Sequence, residues 1–186
     1  MQPSLFHMRF LKKLLFVLLT ILVIFLVIPL FVDTDFKVSR SVTVDAPKMF
    51  VFDYLKHLKN QEEYGVWNNI DPNMKKSYKG TDGEIGFTYT WDSKNEDVGA
   101  GEQEIVAINE YDKIEYELRF KRPWESTNKA WFDIEGNTDS TKITWAISGS
   151  VPYPFNFFNL FMDMDEMIGK DLEKGLENLE SEISKK

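Results

Sequence analysis

The sequence has no cysteine and only two histidines. Without cysteine there is no disulfide framework, no thiol nucleophile and no thiolate ligand for zinc. His57 is the only histidine beyond an apolar run near the N-terminus, and its place at the end of a predicted helix favours a surface role. No sequence feature marks a pair of carboxylates for acid–base catalysis. We therefore predict no metal, no cofactor and no catalytic residue.

Positive charge is also scarce. The chain has 22 basic and 30 acidic residues, a formal net charge of −8. Three of the basic residues, Arg9, Lys12 and Lys13, precede the apolar run, so the rest of the chain is more acidic still. Such a charge repels nucleic acid and anionic lipid headgroups, which excludes a nucleic-acid partner and a basic membrane-binding patch.

One long apolar run stands near the N-terminus, where residues 14–32 contain no charged side chain. As a helix the run would span roughly 28 Å, close to the bilayer hydrocarbon thickness of about 30 Å. We predict a transmembrane anchor at 14–32, a cytoplasmic segment at 1–13 and a folded domain at 33–186. A cleaved signal peptide is the main alternative, although no small-residue cleavage site follows the run.

The charges beside this run predict its orientation. Arg9, Lys12 and Lys13 precede it, whereas Asp33 and Asp35 follow it. Because basic residues stay on the cytoplasmic side, we expect a cytoplasmic N-terminus and a domain on the outside, in the periplasm or at the cell surface.

After the run, the spacing of apolar residues predicts a strand, one or two helices, about six strands and a long helix. The first strand is expected over 36–45 and the first helix over 47–58. The later strands alternate apolar and polar residues and are joined by short turns, a pattern typical of an antiparallel meander. The last helix, predicted over 156–184, has apolar residues every three or four positions.

An antiparallel sheet with one apolar face needs cover, and the long helix is the element large enough to provide it. The predicted fold is therefore α+β, a helix-grip arrangement in which a curved antiparallel sheet wraps round a long C-terminal helix.

Aromatic side chains are frequent, and all five tryptophans and all seven tyrosines follow the apolar run. Tryptophan and tyrosine bring a polar group into an apolar wall, as small-molecule pockets require. The candidate cavity residues lie on apolar strand faces, in a short helix and on the long helix: Trp67, Tyr89, Trp91, Tyr116, Phe120, Phe132, Trp145, Phe161, Met164, Met167 and Ile168. Each of them could instead belong to a packed core.

Arg40 is the further cavity candidate, because strict alternation places it on the same strand face as Val38, Val42 and Val44. It could pair with the anionic head of a ligand or with an acid on a neighbouring strand. Alternatively, it lies near the sheet end and reaches solvent.

Three stretches of the chain resemble one protein superfamily, the START-like or SRPBCC superfamily, in its polyketide cyclase/dehydrase group. They are SRSVTVDAPKMFVFDYLKHLKNQEEY at 39–64, VWNNIDPNMKKSYKG at 66–80 and FMDMDEMIGKDLEKGLENLE at 161–180. The resemblance covers about residues 35–184. It implies a cavity between the sheet and the long helix that takes a hydrophobic small molecule, and it does not imply cyclase activity.

These observations leave three functions open. The first is a membrane-tethered domain that binds a hydrophobic or amphipathic small molecule, lipids included. The second is a cyclase- or hydratase-like enzyme that uses pocket groups such as Tyr89, Tyr116 or Glu117. The third is an interaction protein with a filled core.

Overall fold

The computed structural model describes residues 5–186. The chain divides into two compact units. The helical unit is Met1–Phe36 together with Ser150–Asp163, and the sheet unit is Lys37–Gly149 together with Met164–Lys186.

The helical unit is dominated by helix α1, Leu5–Val27, which continues into a single 3-10 turn, Ile28–Phe31. Pro29 lies in that turn and has no N–H to donate to the preceding turn, which favours the end of the α-helix there. Within Met8–Phe31, the most apolar window of 18 residues has a mean hydropathy of 3.3, and only 6% of it is buried by protein. Its length and composition fit a membrane span, and they fit a signal sequence equally well.

Residues 150–163 belong to the same unit. They include a 3-10 helix, Phe155–Leu160, in which the rings of Phe157 and Phe158 pack against Phe25 near the end of α1. The ring of Phe25 lies 5.4 Å from that of Phe157, centroid to centroid. The buried amide of Asn156 donates hydrogen bonds of 2.8 Å to the carbonyl oxygens of both Pro29 and Val32.

These contacts correct one prediction. The last helix was predicted to begin at residue 156, but α5 runs from Met164 to Ile183. The apolar spacing continues through 157–161, yet Phe157 and Phe158 pack against Phe25 of α1, and Asn156 bonds to carbonyls of the residues that follow α1. Tertiary contacts thus override the local helical periodicity.

The sheet unit contains a seven-stranded sheet in the order β1-β7-β6-β5-β4-β3-β2. Each strand from β2 to β7 pairs antiparallel with the next, so the predicted meander is confirmed. The strands are β1 Asp35–Val44, β2 Lys75–Lys79, β3 Thr88–Asp92, β4 Ala100–Asn109, β5 Lys113–Arg122, β6 Ser126–Gly136 and β7 Thr141–Ser150.

Three short helices connect β1 to β2: α2 Lys48–Lys56, α3 Gln61–Tyr64 and α4 Val66–Ile70. The buried stripe of α5 consists of Leu172, Leu176, Leu179 and Ile183, spaced by four, three and four residues. Burial of each leucine is worth about 1.5–3 kcal/mol. The α+β helix-grip prediction is therefore confirmed, with α5 as the helix that covers the sheet.

Two glycines let α5 come close to bulky side chains. A Cβ at Gly175 would lie 2.7 Å from the indole ring of Trp145 on β7. A Cβ at Gly169 would collide with the guanidinium of Arg40 on β1. Both glycines therefore mark the close approach of the helix to the sheet.

Candidate functional site

The sheet unit contains a cavity of about 140 Å³. Its walls come from the inward face of the sheet and from the segment that carries α3 and α4. The lining residues are Gln61, Gly65, Trp67, Asn68, Met74, Tyr89, Trp91, Asp97, Val98, Gln103, Leu118, Phe120, Ala130, Trp145 and Ile147.

Aromatic rings form the strand side of the cavity. On β3, Tyr89 and Trp91 share the inward face because they are two residues apart, and their rings stack at 5.8 Å. Phe120 on β5 meets Trp91 edge to face at 5.7 Å. The indole N–H of Trp91 donates to the carbonyl of Val98 at 3.2 Å, which fixes the ring.

The other side of the cavity is formed by α3, α4 and the residue between them. Trp67 meets Trp145 edge to face at 6.0 Å, so it reaches from α4 to the sheet. A Cβ at Gly65 would lie 2.7 Å from the carbonyl oxygen of Gln61, and glycine therefore suits this tight junction. Trp67 and Asn68 are half-buried and Asp97 is exposed, so the cavity reaches the surface beside them.

A few polar groups lie among these apolar walls. The hydroxyl of Tyr89 lies 3.3 Å from the side-chain oxygen of Asn68, to which it donates. Burial, and to a smaller extent the charge of Glu62, raises the pKa of Tyr89, so the hydroxyl stays neutral and remains a donor. The side-chain oxygen of Gln61 is buried and has no hydrogen-bond partner within residues 5–186. The cavity lining thus combines apolar walls with the polar side chains of Gln61, Asn68 and Tyr89.

Five of the residues singled out from the sequence line this cavity: Trp67, Tyr89, Trp91, Phe120 and Trp145. Tyr116 and Phe132 share the inward face but are fully buried in the core, where their rings meet at 6.1 Å. The hydroxyl of Tyr116 donates to the carbonyl of Leu55 at 3.3 Å.

Four further candidates lie away from the cavity lining. Phe161 is 74% exposed and belongs to the helical unit rather than to α5. Met164 and Ile168 are half-buried in the first turns of α5, and Met167 is exposed. The cavity is lined by the sheet and by the segment that carries α3 and α4, and α5 contributes no side chain to it; the buried stripe of α5 begins at Gly169 and Leu172.

Arg40 also lies outside the lining. Its guanidinium makes a bidentate pair with Asp165 in the first turn of α5, with both N–O distances 2.9 Å. This pair holds the pKa of the Asp165 carboxyl below its usual range. The partner is thus an acid on the helix rather than on a neighbouring strand, and the pair ties β1 to the start of α5.

The sequence reading missed several lining residues. Gln103 could have been found, because the alternation of β4 places this polar residue on the inward face. In the structure it is 7% exposed. Gln61 and Asn68 lie in helices of four and five residues, which are too short for the spacing of apolar residues to predict which side chains face the sheet. Ala130 is small and leaves open space between larger neighbours, a feature that no sequence pattern reveals.

The groups considered for catalysis do not meet in the cavity. Glu117 pairs with Arg119, which also bonds Glu102 and Glu104 at 2.6 Å each. None of these four residues belongs to the lining, whereas Tyr89 and Asp97 do. Within residues 5–186, no three His, Asp or Glu side chains are placed to hold a metal ion.

An antiparallel sheet covered by one long helix, with an aromatic-walled cavity on its inward face, defines a helix-grip fold. The sequence agrees with this description, since residues 35–184 match the family "Polyketide cyclase / dehydrase and lipid transport". The chain belongs to this family of the START-like superfamily. A comparison with curated proteins finds no match.

Solved structures share the fold at low sequence identity. A Thermobifida fusca protein determined by solution NMR is 16% identical, with a TM-score of 0.55 over 77% of this chain and 90% of that one. Protein MLL2253 from Mesorhizobium loti is 15% identical, with a TM-score of 0.52 over 78% and 98%. The di-domain ARO/CYC StfQ from the steffimycin biosynthetic pathway is 11% identical, with a TM-score of 0.59 over 80% of this chain and 50% of that one.

Proposed function

We propose that this chain is a membrane-anchored member of its family that binds a hydrophobic or amphipathic small molecule in the cavity of the sheet unit. The observation that carries this proposal is an aromatic-walled cavity whose lining includes Gln61, a residue with a buried side-chain oxygen that has no hydrogen-bond partner within residues 5–186. A buried polar atom without a partner is unfavourable, and a ligand donor would satisfy it.

The size of the cavity limits what enters it. A dry cavity of about 150 Å³ in another protein takes one benzene ring. At about 140 Å³, this cavity would seat one ring or a short alkyl segment. The rest of a larger amphipathic ligand would extend past Trp67, Asn68 and Asp97, where the lining reaches solvent.

The comparisons support the general class of ligand, a small apolar molecule, without naming the molecule. The family description includes lipid transport, and one structural relative is named as an aromatase/cyclase-type di-domain of a biosynthetic pathway. Binding is favoured over catalysis for this chain, because Tyr116 and Glu117, two groups considered for chemistry, lie outside the cavity lining.

The anchor is supported by the helical unit. The carbonyl groups of Leu26, Pro29 and Val32, in α1 and in the residues directly after it, accept hydrogen bonds from Tyr153 and Asn156. Cleavage of a signal sequence after Val32 would remove all three groups and leave the buried amide of Asn156 without its two acceptors. These bonds therefore favour a retained helix that spans the membrane once.

The binding proposal is tested with phenol and toluene as probes, because they have nearly the same shape and differ in a hydroxyl donor. Binding is followed by NMR titration of the full chain in micelles. We expect both probes to bind, and Ala130→Leu, which fills the cavity from β6, should weaken both at least tenfold. The matched variant Ala107→Leu, half-buried outside the lining, should leave binding unchanged.

Gln61→Leu tests the polar contact. It should lower the preference for phenol over toluene by about fivefold, the worth of one hydrogen bond of about 1 kcal/mol. A parent chain that binds neither probe, together with an Ala130→Leu variant that unfolds from overpacking, would establish a filled core instead.

The orientation is tested with single cysteines, since the chain has none of its own. Lys94→Cys, exposed in the turn between β3 and β4, should react with an impermeant thiol reagent in intact cells, after permeabilisation of any outer membrane. Ser4→Cys should react only after lysis. The reverse pattern would overturn the orientation, and a chain shortened at its N-terminus would show that α1 is cleaved.

A further inference from the structure

The segment 151–162, VPYPFNFFNLFM, contains no charged residue and lies against the end of α1 in the helical unit. We infer that this segment is a second membrane-contact element that lies in the boundary between lipid headgroups and acyl chains, beside the end of α1. The inference rests on the proposed function, in which α1 spans the bilayer.

The polar side chains of the segment are directed to the helix. Tyr153 donates to the carbonyl of Leu26 at 3.0 Å, and Asn159 donates to that of Asp33 at 3.1 Å. Together with the two bonds from Asn156, they pair a side-chain donor of each polar residue in the segment with a backbone carbonyl between Leu26 and Asp33. Donors that are paired inside the protein suit a lipid environment, because lipid offers them no hydrogen-bond partner.

The remaining surface of the segment is apolar and exposed. Phe155, Phe158, Leu160 and Met162 are exposed, and Phe161 is 74% exposed. Contiguous exposed apolar patches mark a protein or membrane contact.

Continuity selects the membrane as the partner. The next exposed apolar side chains in the same unit are Leu30 and Phe31, 66% and 86% exposed, at the end of the proposed span Met8–Phe31. Aromatic residues gather at this level of membrane proteins, and interfacial helices bury their apolar faces about 5–10 Å into the boundary. Asp33 and Asp163 flank the apolar stretches in sequence, as expected where the chain returns to water.

Spin labels on the full chain in phosphatidylcholine vesicles test this placement. Single cysteines at Phe161, Leu19 and Lys94 carry a nitroxide, and its relaxation is measured with oxygen, which concentrates in lipid, and with a water-soluble nickel chelate. We expect Leu19→Cys to report the deep hydrocarbon and Lys94→Cys to report water. Phe161→Cys should lie between them, with an oxygen-to-nickel accessibility ratio several-fold above that of Lys94→Cys.

The three labels separate the possible failures. A ratio at Phe161→Cys equal to that at Lys94→Cys, with Leu19→Cys deep in lipid, would overturn the inference and leave the anchor standing. Low accessibility of Phe161→Cys to both reagents would identify a protein partner or a second copy of the chain, which also overturns it. A water-like Leu19→Cys would show that α1 does not span the bilayer, and the inference would fall with that proposal.

Discussion

The two glycines of α5 lie against different side chains, Gly175 against Trp145 and Gly169 against Arg40. Substitution by alanine should therefore change the stability by different amounts at the two positions. At Gly175 the added Cβ meets the rigid indole ring of Trp145, which is 2% exposed and packs against the rings of Tyr64 and Phe132. We expect Gly175→Ala to destabilise the sheet unit by about 1–3 kcal/mol, despite a helix-propensity gain of about 1 kcal/mol. The change is measured as the urea midpoint of unfolding.

Gly169→Ala is the matched control. Its Cβ would meet the end of the flexible Arg40 side chain, which is part-exposed and can move aside. The loss of the pair with Asp165 then offsets the gain in helix propensity, so the stability should stay within about 1 kcal/mol of the parent. Equal losses for both glycines would show that α5 does not approach Trp145 as described.

Two aspartates of α5 have pKa values shifted in opposite directions, which predicts opposite effects of asparagine. Burial raises the pKa of Asp171, although a hydrogen bond from Trp67 partly opposes it. The folded state therefore favours the neutral acid, and the stability from this group is lost as the pH rises through the folded pKa. Asp171→Asn should raise the melting temperature at pH 7, and the difference should shrink below about pH 4.

Asp165→Asn should show the opposite sign. The Arg40 guanidinium lowers the pKa of Asp165, so its stabilisation is present above the unfolded pKa of about 3.9 and is lost as the pH falls through the folded value. Its melting temperature should lie below that of the parent at pH 7 and converge with it near pH 2. Thermal melts across pH 2–8 check both variants, and curves with the same sign would contradict the two assignments.

At the scale of elements, α5 stabilises the sheet unit through its buried stripe rather than through its first turns. Leu176 is 2% exposed, whereas Met167 is 53% exposed. Leu176→Ala should cost about 2–5 kcal/mol and Met167→Ala no more than about 0.5 kcal/mol, read from chemical denaturation. A comparable loss at both positions would place the start of the packed helix earlier than Leu172.

The strands were predictable because alternation reports directly which face is buried. In β5, for example, Ile114, Tyr116 and Leu118 are buried, with more exposed residues between them. The start of α5 was not predictable, because the apolar spacing runs unbroken through Phe157 and Phe161. The ring of Phe157 packs against α1, and Phe161 contacts Phe157 but is 74% exposed.

The cavity was predictable only in part. Alternation places Tyr89, Trp91, Tyr116 and Phe132 on one face, but it does not tell which of them meets open space. That depends on the small size of Ala130 and on how α3 and α4 cover the sheet, both of which are properties of packing.

At the scale of the whole molecule, a chain of residues 33–186 should still fold, since the buried core of the sheet unit lies within it. It should melt cooperatively and bind phosphatidylcholine vesicles through the exposed side chains of 151–162. Replacing both Phe155 and Phe158 with serine should lower vesicle binding several-fold in a flotation assay and leave the melting temperature unchanged. A broad melt would contradict independent folding of the sheet unit. Vesicle binding that is unchanged by the two serines would contradict membrane contact through 151–162.

The central claim is that the cavity of the sheet unit holds a small hydrophobic molecule in the cell. Its most direct test is mass spectrometry of organic extracts from the full chain and from Ala130→Leu, purified identically from membranes so that the loosely bound bilayer lipids are the same in both. The account predicts one amphipathic species that approaches one molecule per parent chain and is depleted at least tenfold in Ala130→Leu. Extracts of identical composition from two equally stable proteins would contradict it.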